Sequence, residues 1–334
     1  MEKSYRFGPD AQCSLQVLWE DGERSFARGW CLDADGQRKP VLAVSPTAEH
    51  PTPSNLERLA HEFALKDQLD GAWAVRPLEL LRSSQGTTLL LEDPGGDLLA
   101  RRLGAPTEVG QFLRLAIGII TALGKAHQHG LVHKDLKPTN ILVTGVGGEV
   151  RLTGFGLASH LRRERPSPEP PEELAGTLAY MSPEQTGRMN RSIDFRSDLY
   201  AFGVILYQML TGVLPYEAPS AADLERLMKG DFFPPPRRLN PKIPQAINDI
   251  IMKAMAPAIV DRYQRAGDVV DDVLAARSGG GRRPTPASPA PDAETADIQS
   301  RLKAREAPQP RFCWHCRKPL HARSHRCPFC GEAQ

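Results

Sequence analysis

The stretch that most constrains the fold of this chain is His133-Lys134-Asp135-Leu136-Lys137-Pro138-Thr139-Asn140. It places a carboxylate, an ammonium group and an amide within a few positions of one another. A carboxylate can accept the proton of a substrate hydroxyl, a lysine can offset charge on a phosphoryl group in transfer, and an amide oxygen can ligate magnesium. Asp135, Lys137 and Asn140 are the candidates for these three roles, in that order.

This run resembles the H-R-D-x-K-P-x-N catalytic loop of serine/threonine protein kinases. Further elements of that family follow in the same order. The segment Gly176–Glu184 resembles the substrate-docking loop and A-P-E element, with Ser182 in place of the alanine. Asp198 resembles the buried aspartate that anchors the catalytic loop from a core helix. The resemblance also implies that Arg262 pairs with Glu184 inside the helical lobe.

The resemblance assigns a role to the segment before Glu184 as well. Thr177 is expected to help orient Asp135 and Lys137, and it counts among the candidate catalytic residues. Ser159, Ser167 and Thr177 are candidate phosphorylation sites because of their position in this segment.

A narrower resemblance lies in Glu184–Asp198, which is similar to the kinase-like domain that opens very large bacterial sensor proteins, ahead of an ATPase module and a histidine kinase. The similarity covers about residues 15–276. This chain carries a candidate zinc ribbon where those proteins continue. Signal relay through an output domain in the same polypeptide is therefore not expected.

Hydrophobic patterning agrees with a β-rich lobe followed by an α-rich lobe. Strand-like segments dominate the first ninety or so residues, and later segments repeat apolar residues at helix spacing. We predict strands at Leu15–Leu18, Pro40–Val44 and Thr87–Leu91, and helices at Asn55–Leu69, Gln111–His129 and Asp198–Leu210. The predicted fold class is α+β, a two-lobed protein-kinase fold with a small C-terminal zinc ribbon. The predicted domains are a kinase-like domain at 15–276, a flexible linker at 277–310 and the ribbon at 311–334.

The nucleotide site departs from the family pattern at several positions. Val44 stands where the phosphate-binding lysine belongs, or Ser45 does if the strand is read in the other register. Gly154 stands in the D-F-G position and offers no carboxylate to magnesium. The glycine-rich loop keeps only Gly22, with an acid on each side of it. Glu62, the expected partner of the lysine, must be solvated or paired elsewhere.

The hinge between the lobes leaves adenine binding open. Leu91 is expected to guard the back of the pocket, and Glu92 and Asp93 to form the hinge. Pro94 lacks an N–H, so hydrogen-bond donors to adenine must come from its neighbours. A hinge that binds adenine and a hinge that only connects the two lobes are equally compatible with these residues.

Two functions from different classes follow from this site. The first is a kinase-family signalling protein with a degenerate ATP and metal site, a weak kinase or pseudokinase that serves as a binding scaffold. The alternative is an active serine/threonine kinase that transfers the ATP γ-phosphate to a protein through an unconventional site. The lost charges at Val44 and Gly154 favour the scaffold, whereas Asp135, Lys137 and Asn140 favour the enzyme. ATP and magnesium are therefore doubtful cofactors, with Asn140 as the magnesium ligand if ATP is bound.

Four cysteines near the end predict a structural zinc site. Two C-x-x-C pairs separated by ten residues present four thiolates for tetrahedral coordination, which leaves no open position for catalysis. The predicted ligands are Cys313, Cys316, Cys327 and Cys330. A redox role for either pair is the less favoured alternative. The other two cysteines, Cys13 and Cys31, are predicted to be unpaired, because disulfides are rare in a reducing compartment.

Charge and hydropathy restrict the partners and the location. Lys and Arg number 42 against 40 for Asp and Glu, so no bulk charge favours nucleic acid or membrane. A basic patch in the ribbon, Arg311 to Arg326 with Trp314 nearby, could touch nucleic acid, although a solvated loop is the favoured interpretation. Residues Met1–Asp10 contain no signal-like apolar core, and no apolar stretch reaches bilayer length. We therefore predict a cytoplasmic protein without a membrane span that binds a protein partner or substrate.

Overall fold

The structure is a computed structural model that describes residues 6–7, 11–32, 36–83, 86–145, 147–160, 178–186, 193–216, 233–278, 311–312 and 319–320. The chain divides into two compact units, Met1–Arg282 and Arg283–Gln334. In the second unit, the two described segments, Arg311–Phe312 and Pro319–Leu320, form a pair of antiparallel strands.

The first part of the larger unit is a six-stranded antiparallel sheet. Its strands are β1 Arg6–Phe7, β2 Ala11–Glu20, β3 Arg24–Leu32, β4 Arg38–Pro46, β5 Pro77–Ser83 and β6 Gly86–Glu92. They lie in the order β1-β2-β3-β4-β6-β5. A single helix, α1 (Pro53–Ala64), connects β4 to β5. Thr52 caps the start of α1 by accepting a hydrogen bond from the N–H of Asn55, which satisfies an otherwise unpaired donor of the first turn.

The second part of the larger unit is mainly helical. Its described helices are α2 Val109–Gln128, α3 Phe195–Thr211, the single turn α4 Pro236–Leu239, α5 Gln245–Ala254 and α6 Ala266–Arg277. Short strands line the junction with the sheet, and these are β7 Asp97–Leu98, β8 Leu131–Val132, β9 Ile141–Thr144, β10 Glu149–Leu152 and β11 Ser159–His160. The predicted α+β architecture, β-rich first and α-rich second, is therefore confirmed.

Helix α3 is the centre of the helical part. Asp194 caps its start and Gly212, in the left-handed region, ends it. Its residues from Ser197 to Tyr207 are all buried, as a helix enclosed by others requires. At Gly203 a side chain would collide with Met255, so the glycine permits the close packing of α3. The predicted helix over 198–210 is confirmed and begins three residues earlier than predicted.

One buried ion pair joins a segment that precedes α3 in the sequence to a segment that follows it. Arg262 and Glu184 meet as the resemblance implied, at 2.7 Å. Burial raises the pKa of the Glu184 carboxyl, but the hydrogen bonds and charge of Arg262 outweigh it, so the pKa lies below its usual value. The carboxylate is therefore charged at neutral pH, and the predicted pairing is confirmed.

Helix α2 is long and apolar enough to cross a bilayer by length and composition alone. Its apolar residues, however, form one stripe that packs into the core of the unit, and they include Phe112, Ile119 and Leu123. This burial is the pattern of a core helix of a folded domain.

The prediction that Cys13 and Cys31 are unpaired is wrong, because the structure joins them in a disulfide. The two residues face each other directly in the antiparallel pairing of β2 with β3. Opposed residues in such a pair have Cα atoms about 5 Å apart. The distance between these two Cα atoms is 4.2 Å. The cysteine spacing alone does not reveal this contact, since it depends on the register of the two strands.

Candidate active site

The loop His133–Asn140 is held in place by Asp198 of α3. The Asp198 carboxylate accepts hydrogen bonds from the N–H of His133 at 2.9 Å and of Lys134 at 2.8 Å. Lys134 needs this support because its φ of 66° lies in the left-handed region. Burial raises the pKa of Asp198, but the hydrogen bond and charge of His127 outweigh it, so the pKa lies below its usual value. The predicted anchoring role of Asp198 is confirmed.

The loop brings its three candidate catalytic side chains together. Asn140 Nδ2 donates to the backbone oxygen of Asp135 at 2.7 Å and to its Oδ2 at 3.1 Å. Lys137 Nζ lies 3.7 Å from the same Oδ2. Lys137 and Asn140 are buried, so this trio is a preformed cluster and not a solvated polar loop. It borders the cleft, which is the space between the six-stranded sheet with α1 and the His133–Asn140 loop, lined by residues that include Arg24, Glu62 and Asp135.

The remaining candidates on the segment before Glu184 fall partly outside the described residues. Thr177 and Ser167 lie outside them, so their predicted roles remain predictions. Ser159 is described: it lies in β11, opposite Val132 of β8, and is partly buried.

Val44 occupies the position that the resemblance assigns to the phosphate-binding lysine. It is buried in one cluster with Phe26, Leu42 and Leu91, on the sheet face that looks toward β9. Ala43 belongs to a cluster on the opposite face, as alternation along a strand requires. Ser45 shares the face of Ala43 by the same alternation. The structure therefore selects the register in which an apolar side chain replaces the lysine.

Glu62 of α1 accepts a hydrogen bond from the backbone in place of an ion pair with the missing lysine. Its side chain is buried, and Oε1 accepts a hydrogen bond from the N–H of Gly154 at 2.8 Å. The hydroxyl of Thr153 lies 3.5 Å from the same oxygen. Of the two outcomes expected for a glutamate without its lysine, pairing elsewhere is confirmed.

Gly154 contributes no metal ligand, and its surroundings leave little room for one. Its φ is 79°, and a Cβ at this position would collide with the side chain of Asn140. The next residue, Phe155, is fully buried, and its ring packs 4.6 Å from that of His133 and edge-on to Trp73. Phe155 thus keeps the packing role of the D-F-G phenylalanine, although the residue before it is a glycine and not an aspartate.

The adenine end of the cleft is filled by the chain's own side chains. The cavity there measures about 10 Å³ and is lined by Phe26, Leu42, Leu91 and Leu142 with three neighbouring residues. A cavity of this volume holds about one water molecule, whereas ligand pockets run to about 300–1,000 Å³. The ring of Phe26 and the side chain of Leu42 are both buried inside the cleft.

The hinge residues are engaged in contacts of their own. Glu92 forms an ion pair with Arg76 at 2.7 Å, and Leu91 is fully buried. Asp93 Oδ2 lies 2.7 Å from Nε of Arg28, a residue of β3 whose Nη1 also donates to the backbone oxygen of Gly96. Arg28 therefore links β3 of the sheet to the hinge.

The turn that joins β2 to β3, Asp21–Arg24, reaches down to the His133–Asn140 loop. Gly22 has a φ of 84°. A glycine adopts this left-handed conformation without strain. Arg24 Nη2 donates to Oδ1 of Asn140 at 2.9 Å and lies 3.8 Å from Oδ2 of Asp135. The oxygen of Asn140 that would ligate magnesium is thus already bound to a guanidinium group.

These residues do not fit magnesium and ATP as the resemblance requires. A metal held by the amide oxygen of Asn140 finds no carboxylate ligand at Gly154 and meets the positive charge of Arg24. The cavity beside Arg24, Glu62 and Asp135 measures about 20 Å³. Such a volume has room for about one water molecule. Within the described residues no group of three or more His, Cys, Asp or Glu side chains could hold a metal ion.

The predicted zinc ligands Cys313, Cys316, Cys327 and Cys330 lie outside the part of the chain that the structure describes.

Sequence reasoning missed three residues that shape the cleft, namely Arg24, Phe26 and Leu42. Two weak signals were present: bulky apolar residues at strand positions that face the cleft, and an arginine two residues beyond the remaining glycine of the loop.

Comparison with known proteins agrees with the fold and the loop. The family model described as "Protein kinase domain" matches residues 37–271. Among curated proteins, the chain is 34% identical over 174 residues to the probable serine/threonine-protein kinase PknB of Lactococcus lactis and 36% identical over 177 residues to a probable serine/threonine-protein kinase of Clostridium perfringens. It is 33% identical over 172 residues to the serine/threonine-protein kinase PrkC of Bacillus subtilis.

These alignments cover 51–53% of this chain but only 25–27% of each relative, so the chain spans about a quarter of their length. The family match, by contrast, extends over well more than half of the chain. Members of this family use ATP and magnesium for phosphoryl transfer. The chain therefore belongs to the protein kinase family, with serine/threonine kinases as its relatives.

Proposed function

We propose that this chain is a serine/threonine-kinase-family signalling protein with a degenerate nucleotide site, a pseudokinase or very weak kinase that acts as a binding scaffold for a protein partner. One observation carries the proposal: side chains of the protein itself fill the cleft. Phe26 and Leu42 fill its adenine end, and Arg24 holds the oxygen of Asn140 at its metal end.

The energetic argument concerns charge as well as space. Phosphoryl transfer depends largely on positioned positive charge around the moving group. Val44 removes the lysine and Gly154 removes a metal ligand, and each loss commonly costs about two orders of magnitude in rate. Two such losses in one site leave a rate about four orders of magnitude below that of a complete kinase.

The alternative, an active kinase with an unconventional site, has one observation in its favour. Asp135, Lys137 and Asn140 are assembled at hydrogen-bond and ion-pair distances, and Asp198 supports their loop. For these residues to act on ATP, the turn Asp21–Arg24 and the ring of Phe26 must both leave the cleft. Turnover at a rate ordinary for kinases would favour this alternative.

Nucleotide binding tests the proposal. We expect millimolar ATP or adenosine, with or without magnesium, to shift the melting temperature of the wild-type chain by less than about 1 °C. A ligand at about a hundred times its Kd stabilises by about 2.7 kcal/mol, which raises the melting temperature of a domain of this size by several degrees. Pyrophosphate at equal concentration controls for ionic effects. A magnesium-dependent shift of several degrees with ATP would contradict a filled cleft.

We propose further that the four C-terminal cysteines bind one structural zinc ion. Purified, reduced protein is expected to carry about one zinc per chain, and Cys327→Ser with Cys330→Ser to abolish it. Cys13→Ser with Cys31→Ser is the matched control and should keep the zinc. Zinc content near zero in wild-type protein prepared without chelator would rule the ribbon out.

A further inference from the structure

We propose that the turn Asp21–Arg24 is an internal pseudo-ligand, which occupies the phosphate and metal positions of the cleft and latches the sheet to the His133–Asn140 loop without nucleotide. The inference rests on the proposed function, since a cleft that holds ATP in the usual way has no room for this turn. It goes beyond that function by identifying how the closed state is maintained.

The turn is built to present its charges in a fixed arrangement. Asp21 Oδ1 accepts hydrogen bonds from the N–H of Arg24 at 2.8 Å and of Glu23 at 3.2 Å. The N–H of Asp21 donates to the backbone oxygen of Arg24, and Thr47 of the chain after β4 donates its hydroxyl to the oxygen of Gly22 at 2.7 Å. These hydrogen bonds fix the backbone of the turn, and so they fix the positions from which its three charged side chains extend.

Each charged side chain of the turn meets an opposite charge or a polar acceptor outside the turn. Asp21 Oδ2 lies 3.4 Å from Nζ of Lys137, and Arg24 Nη2 binds Oδ1 of Asn140 at 2.9 Å. Glu23 Oε2 lies 3.5 Å from Nη1 of Arg58, which belongs to α1.

Burial separates these contacts from ordinary surface ion pairs, which contribute little. The side chains of Asp21 and Arg24 are 11% and 16% exposed, and that of Lys137 is 4% exposed. Solvent screens charges at such positions far less than on an open surface. Glu23 is 47% exposed, so its contact with Arg58 is the weakest of the three.

The charges reproduce the layout of a nucleotide and its metal. A carboxylate oxygen of Asp21 stands beside Lys137, where a phosphoryl oxygen stands in a working kinase. A guanidinium cation of Arg24 stands on Asn140 and beside Asp135, where a divalent cation stands. Side chains of the turn thus pair with Lys137, Asn140 and Asp135, the groups that would otherwise face a nucleotide and its metal ion.

The latch makes the turn the point at which a partner could act. A protein that draws the turn out of the cleft must separate Asp21 from Lys137 and Arg24 from Asn140. Doing so exposes the His133–Asn140 loop. The scaffold therefore has two states with different exposed surfaces, and the latch favours the closed one.

Two variants, each of which removes one charge, test the latch in nucleotide-free, full-length protein. Asp21→Asn keeps the acceptor for the turn's N–H groups and removes the charge that faces Lys137. Arg24→Gln keeps an amide donor and removes the cation. We expect each to raise hydrogen–deuterium exchange of residues 19–26 on the order of ten-fold, since local opening follows the lost contacts. Glu79→Gln and Arg82→Ala, exposed changes on β5, are the controls and should leave this exchange unchanged.

A double-mutant cycle identifies the group that the turn binds. The double variant Asp21→Asn with Lys137→Met should lower the melting temperature by less than the sum of the decreases caused by the two single variants. We expect this difference to be about 2 °C or more, because the two residues act as a unit. Additive shifts together with unchanged exchange would overturn the latch.

The two proposals fail in different ways. Magnesium-dependent ATP binding by the wild-type chain would contradict the proposed function, but the coupling between Asp21 and Lys137 could still be measured. If the chain binds no nucleotide and the double-mutant cycle shows no coupling, only the latch is contradicted.

Discussion

Replacing Arg262 with alanine should lower the free energy of unfolding by about 3–5 kcal/mol, because it leaves a buried carboxylate without its partner. The side chains of Arg262 and Glu184 are 0% and 1% exposed, and they meet through two hydrogen bonds of 2.7 and 3.0 Å. Arg262 also donates to the backbone oxygens of Ala256 and Pro257. Glu184 accepts a further hydrogen bond from Ser197 at 2.6 Å.

Urea denaturation measures the effect, and Arg101→Ala is the matched control. Arg101 pairs with Asp97 at 3.2 Å on the surface. The loss of such an exposed pair should cost less than about 1 kcal/mol. Equal effects of the two changes would show that the buried pair does not hold the helical part together.

Much of the fold was predictable because its signals are local. The apolar stripe of 111–129 and the continuous apolar run of 198–210 specify helices without knowledge of any distant residue, and both helices are present. The pairing of Arg262 with Glu184 followed from the kinase resemblance. The loop His133–Asn140 predicted the grouping of its own side chains because they lie close in sequence.

The parts that could not be predicted depend on contacts between distant segments. The disulfide of Cys13 with Cys31 requires the β2–β3 register. The contact of Arg24 with Asn140 joins residues 116 positions apart, and that of Glu62 with Gly154 spans 92. A missing lysine is visible in the sequence, but which side chain fills the cleft in its place is decided by packing.

Restoring the two lost charges alone should not produce an active kinase. We expect Val44→Lys with Gly154→Asp to stay within about ten-fold of the wild-type rate, because Phe26 and Leu42 still fill the adenine end. The new aspartate must also displace the side chain of Asn140. Adding Phe26→Val and Leu42→Ala opens the cavity, and adding Arg24→Gln frees the oxygen of Asn140. The three further changes together should raise the rate on the order of a hundred-fold above that of the double variant.

The pair Phe26→Val with Leu42→Ala, without the restored charges, is the matched control. It should gain adenosine binding in a thermal shift assay and gain no phosphoryl transfer, since space and charge are separate requirements. Circular dichroism verifies that each variant folds, because large-to-small changes in a packed cluster cost about 2–5 kcal/mol. If the charge pair alone recovers as much rate as all five changes, the filled cleft has no part in the inactivity.

The rate of γ-phosphoryl transfer by the wild-type chain tests the central claim most directly. It should be measured with labelled ATP, magnesium and a generic basic protein substrate, beside an Asp135→Asn variant as background. A cleft filled by Arg24, Phe26 and Leu42 predicts a rate indistinguishable from that background or at most on the order of 0.01 per second. Turnover of about one per second or faster, as kinases ordinarily show, would contradict the account and identify an active site of another design.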